Sequence, residues 1–140
     1  MRETHALYGV QNMVEEKKQG LISIRNFVLS FFDAENRRDW AEYAKFLAPN
    51  VEWTSYEYPG RKIVRGREEY LKVIKCAYAG RHSTFEIETL VVDEDKGLAI
   101  AELSFEGRRS VDVFELRDGL IYREHEYFDD AYWLRHISSA

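Results

Sequence analysis

The sequence has little that staples or spans. Its 140 residues include one cysteine, Cys76, and two prolines. A lone cysteine closes no internal disulfide, and no Cys/His spacing resembles a zinc site, so neither cross-links nor a structural metal is expected. No apolar run approaches the roughly 18 to 20 residues that cross a bilayer. The N-terminal MRETHALYGVQ lacks the apolar core of a secretion signal and the Arg/Ser-rich pattern of a transit peptide. A soluble cytoplasmic protein without membrane contact is the expectation.

Positive charge is also short, with 20 Lys and Arg against 25 Asp and Glu for a net charge of −5. That balance repels phosphate backbones. The best basic stripe, Arg61, Lys62, Arg65 and Arg67, runs at once into Glu68 and Glu69, so no nucleic-acid partner is expected. Neither a G-x-G-x-x-G loop nor a P-loop is present, and no G-x-S-x-G elbow frames any serine. No cofactor is implied. Aromatics are plentiful instead, at 14%, within a 45% hydrophobic chain, enough to form one core and too little length for two domains.

Residues 1–20 are weakly periodic and read as a loosely ordered arm, 21–135 as one domain and 136–140 as a tail. From Leu21, apolar residues recur at Ile24, Phe27, Val28, Phe31 and Phe32, which predicts a helix to about Arg37. Asp39 with Glu42 resembles a capping box opening a second helix through Leu47, ended by Pro49-Asn50. Val51 to Tyr58 alternates as a strand. Tyr70, Leu71, Ile74 and Tyr78 share a face of a third helix over 67–78, with Cys76 expected to be buried and inert. From Ser83 to Asp129 the period becomes 2, giving four strands: Phe85 to Val91, Leu98 to Phe105, Val111 to Leu116 and Leu120 to Phe128. Acidic and glycine turns between them predict an antiparallel meander, hence an α+β fold.

The stretches FFDAENRRDWAEYAKFLAPNVEW, RGREEYLKVI and VDVFELRDGLIYREHEYFDDAYWL follow one another in this order. Together, over about Ile22 to Leu134, they resemble the SnoaL-like branch of the nuclear transport factor 2-like superfamily. The resemblance implies a cone-shaped α+β barrel, with N-terminal helices on a strongly curved antiparallel sheet that encloses a pocket. It implies a fold more strongly than a reaction, because relatives include cyclases, isomerases, dehydratases and non-catalytic binding or association domains.

The candidate chemistry lies in the last hairpin. With Asp118-Gly119 as a two-residue turn, Asp112 faces His125 and Ser110 faces Tyr127, placing Ser110, Asp112, His125, Tyr127 and Asp129 on the inner face. Asp112 beside His125 would then be an acid–base unit. A glycine-bulge turn instead sets Asp112 against Glu124 and removes that pair. Asp129 matches, by resemblance, the terminal carboxylate of SnoaL-like cyclases. Trp53, Tyr43, Tyr56 and Tyr58 are candidates for the pocket wall or for plain core. His82 is expected in solvent. In the first register the outer face carries Tyr122, Glu124, Glu126 and Phe128 beside Val111 and Val113, a surface suited to a homodimer or to cover by Tyr132-Trp133-Leu134.

Two functions follow. One is a cofactor-independent isomerase, cyclase or hydratase acting by acid–base chemistry on a small apolar or carbonyl-bearing ligand. Asp129, His125 and Asp112 would be catalytic, and Tyr127 and Trp53 would orient the ligand. The other is a non-catalytic domain that binds a small ligand or a protein.

Overall fold

The computed structural model describes residues 23–129. The arm, the tail and the Tyr132-Trp133-Leu134 segment lie outside them. Helix α1 (Ile24–Asn36) starts where the Ser23 side chain accepts from the Asn26 N–H, and it buries the predicted stripe of Ile24, Phe27, Val28, Phe31 and Phe32. Helix α2 is only Trp40–Ala44, capped by Asp39 accepting from Glu42 N–H at 3.1 Å. The expected helix through Leu47 is therefore cut short: β1 already runs Leu47–Glu57. Pro49 and β-branched Val51 favour extended backbone over a continued helix.

A strand absent from the sequence reading follows, β2 (Gly60–Arg65), made by the basic stripe itself and paired antiparallel with β1. Helix α3 (Arg67–Tyr78) matches the predicted bounds and buries Tyr70 and Ile74. Cys76 is exposed, a correction to its expected burial, because it lies off the Tyr70–Ile74 face. His82 is exposed as expected. The meander then follows as β3 (Glu86–Asp93), β4 (Leu98–Phe105), β5 (Arg108–Arg117) and β6 (Leu120–Phe128).

The sheet order is β2-β1-β6-β5-β4-β3. Every junction is antiparallel except β1 with β6, which is parallel, so the sheet is mixed and open rather than wholly antiparallel. The helices pack on its inner face in a cone-like α+β arrangement. At one end α1 closes the hollow: Phe114 of β5 lies edge-on to Phe31 and Phe32 at 5.7 and 5.6 Å, and Phe31 stacks on Tyr43 at 4.3 Å. At the other end the hollow stays open. Among the described residues no helix is long and apolar enough to cross a membrane.

Candidate functional site

The site is set by one irregularity in the last hairpin. Asp118 and Gly119 both take positive φ, 54° and 76°, which suits a two-residue turn, and Arg117 pairs with Leu120 and Leu116 with Ile121. The ladder then slips, resuming with Glu115 opposite Arg123. At the slip Ile121 N–H bonds Phe46 O and Leu116 N–H bonds Gly97 O, so both backbones are held by their outer neighbours. Tyr122 becomes an extra residue on β6, and everything beyond it changes face.

The predicted pairing of Asp112 with His125 is thereby corrected. Asp112 faces Glu126, and His125 faces Val113. His125 lies on the outer face, with Nδ1 3.2 Å from the Tyr56 hydroxyl, and Tyr56 stacks on Tyr127 at 4.5 Å. Asp129 is exposed at the strand end, where its N–H bonds Arg109 O. Thus Asp112, Tyr43 and Trp53 line the cavity, while His125, Asp129, Tyr56 and Tyr127 are not among its lining residues. Glu124, Glu126 and Phe128, read as outward, line it as well.

The cavity measures about 480 Å³ and is walled by α1, α3 and the inner faces of β1, β4, β5 and β6. Asp112 and Glu124 are buried, at 4% and 3% exposure, and Glu126 and Glu35 are partly buried. One oxygen from each of Asp112, Glu124 and Glu126 lies within 4.8 Å of the others, a carboxylate trio that is also a possible cation seat. Tyr70 donates a very short hydrogen bond to Glu124, and Trp53 Nε1 donates to Glu126 at 3.2 Å. From the helical side Tyr78 donates to Glu35 at 2.6 Å. The Tyr43 hydroxyl bonds that of Tyr70 at 3.2 Å, and the Glu35 carboxyl is near enough to raise it. A hydrogen-bonded line therefore runs from Tyr43 through Tyr70 to Glu124, with Glu35 beside its far end.

Asp112 stands beside that line. Its Oδ1 is buried without an N–H or O–H donor among the described residues, and one of its oxygens lies within 4.8 Å of one of Glu124. Burial, then the charges of Glu126 and Glu124, push the Asp112 carboxyl well up, which favours its protonated form. Burial raises Glu124 to about 7 against the lowering bond from Tyr70. Burial likewise raises Glu35 to about 7 against the bond from Tyr78, and burial and Glu124 raise Glu126. The buried Tyr43 and Tyr70 phenols are raised and stay protonated donors.

Glu35 had a sequence signal, since it follows Phe31 by four residues on the buried stripe of α1. Tyr70 and Tyr78 shared the predicted inner face of α3. Glu124 and Glu126 carried none, because their orientation rests on the bulge.

Residues 28–124 match the family model described as a SnoaL-like domain. Among solved structures, a Kribbella flavida protein provisionally named a ketosteroid isomerase is 27% identical, with TM-score 0.61 over 78% of this chain and 79% of its own. A Bacillus subtilis protein provisionally named an isomerase is 18% identical, with TM-score 0.64 over 82% and 92%. A nuclear transport factor 2-like protein of unknown function from Burkholderia xenovorans is 21% identical, with TM-score 0.64 over 81% and 91%. No curated protein matches the chain. With a family match over most of its length and this fold around a pocket, the chain belongs to the SnoaL-like family of the nuclear transport factor 2-like superfamily.

Proposed function

We propose that the protein is an acid–base catalyst that relocates a proton on a small, largely apolar, carbonyl-bearing ligand. One observation carries this reading: the hydrogen-bonded line Tyr43–Tyr70–Glu124 stands between two buried carboxyls, Glu35 and Glu124, each raised to about 7. Near neutral pH such groups serve as acid and base without large proton-transfer penalties. Glu124 as carboxylate takes a proton from carbon beside the carbonyl, and Glu35 as carboxylic acid returns one to another atom of the ligand. The tyrosine line then moves a proton from Glu124 to Glu35, so protons balance and no oxidant is needed. The isomerase names of two structural relatives agree with this reading.

The roles expected of His125 and Asp129 pass to Glu124 and Glu35, while Asp112 keeps a place beside Glu124. Trp53 orients the ligand from the wall. The outer face, where Val91, Ile100 and Val113 form an apolar row across β3, β4 and β5, is assigned to contact with a second copy. The catalytic test is deuterium wash-in from D2O, followed by proton NMR on small cyclic β,γ-enones and 1,3-diketones. Exchange above the buffer rate, lost in Glu124→Gln, is expected. If compounds bind and none exchanges faster than in buffer, the protein is a non-catalytic binding domain.

A further inference from the structure

The inner sheet face carries a pairing that costs stability. Asp112 and Glu126 sit directly opposite each other on β5 and β6, both turned inward, with Glu124 two residues along the same strand. Two carboxyls directly opposite each other oppose sheet formation when both are ionised. Among the described residues no Lys, Arg or His hydrogen-bonds to any of the three. Of the cations that line the cavity, Arg108 pairs with Glu57 at 2.7 Å and Arg81 with Glu106 at 3.1 Å, while Lys62 on β2 is exposed to solvent. Buried carboxylates are ordinarily matched by a protein cation or a metal. Here the match is missing.

Two features describe what would supply it. Asp112 Oδ1 is an acceptor on a residue 4% exposed, and among the described residues no N–H or O–H reaches it. Beside the trio stand aromatic faces: Trp53 and Tyr70 meet at 4.7 Å with a 36° tilt, and Tyr78 meets Phe105 edge-on at 5.7 Å. All four line the same cavity of about 480 Å³. An ammonium group satisfies both, donating N–H bonds to the carboxylates and resting its charge on ring faces. A bare metal ion uses the oxygens and leaves the aromatic walls without a role. A neutral alcohol or ketone leaves the acid pair uncompensated.

We infer that the ligand of this pocket carries a protonated amine, seated between Asp112 and Glu126 beside Trp53, with its apolar body against the aromatic wall. This rests on the pocket reading above and narrows its substrate class. Glu124 and Glu35 remain free to handle the proton, and the cation takes the place of a proton on Asp112.

The test compares tryptamine and 2-phenylethylamine with their neutral isosteres tryptophol and 2-phenylethanol, by calorimetric titration of the full chain at pH 7, with MnCl2 as a third arm. The amines are expected to bind at least tenfold tighter than the alcohols. Asp112→Asn and Glu126→Gln, checked for fold by circular dichroism, should erase that ratio while leaving alcohol binding within about twofold. Equal binding of amines and alcohols, or no binding by either, overturns the inference. So does Mn2+ binding that needs the trio while the amines fail, which makes it a metal site. The wild-type ratio decides the matter even if a variant does not fold. Deuterium exchange on carbonyl compounds without any amine preference rejects this inference and leaves the acid–base reading standing.

Discussion

The inner face of β5 and β6 is built in two ways along one hairpin. Toward the turn, Phe114 and Ile121 are fully buried under Phe31 and Phe32 of α1, a dry aromatic cluster with edge-on geometry. Away from the turn, the next inward residues are Asp112, Glu124 and Glu126, facing a cavity that α1 does not fill. Both halves are deeply buried, and only the first gains stability from it. Burying carboxyl groups is unfavourable unless they keep a proton or find a partner, so the acidic half is held in place by the aromatic half. A stable end of the cone supports a costly end, the usual relation between a scaffold and a site.

That contrast can be broken from either side. The largest effect is expected in the dry half, where Phe114→Ala opens a cavity under α1 and costs about 3 to 5 kcal/mol, measured by urea denaturation. In the acidic half the dependence is on pH. Glu124 is raised by burial to about 7 from 4.5, so the folded state binds more protons than the unfolded state. Its stabilising contribution is complete below pH 4.5 and is lost as pH rises through about 7. Urea midpoints should therefore fall between pH 5 and pH 8, with Glu35 acting in the same direction, and Glu124→Gln should flatten the slope. A midpoint that rises over this range would contradict the assignment.

Smaller effects sharpen the boundary between the halves. Tyr70→Phe removes the phenol hydrogen bond to Glu124 and should cost about 1 to 2 kcal/mol while raising the Glu124 titration further. NMR titration read together with denaturation separates the two consequences. At the rim, Arg108→Ala removes an exposed ion pair with Glu57 and should change stability by less than about 0.5 kcal/mol. A rim effect as large as that of Tyr70 would mean that the acidic half is supported from its mouth.

The aromatic half was legible in the sequence, and of the acidic half only the inward Asp112 was. The i, i+3, i+4 stripe of α1 marked Phe27, Phe31 and Phe32, and the bounds of α3 followed from its own periodicity. The turn at Asp118-Gly119 was legible too, because both positions need positive φ. Beyond Tyr122 the reading failed. A one-residue bulge, held by Ile121 N–H to Phe46 O in the turn before β1, reverses every side chain after it, and a strand's alternation carries no trace of a partner distant in sequence. His125 was thus exchanged with Glu124 and Glu126. β2 was missed for a related reason: its run of basic residues is an exposed edge strand, where alternation of apolar residues is not required.

The most direct test of the account is the protonation of the carboxyl groups in the intact protein. With 13C label at the glutamate side-chain carboxyl, two resonances are expected to titrate near pH 7, one lost in Glu124→Gln and the other in Glu35→Gln. If every glutamate carboxyl instead titrates between about pH 4 and 5, as solvated glutamates do, the hydrogen-bonded line holds no exchangeable acid near neutrality and the proposed proton transfer is wrong.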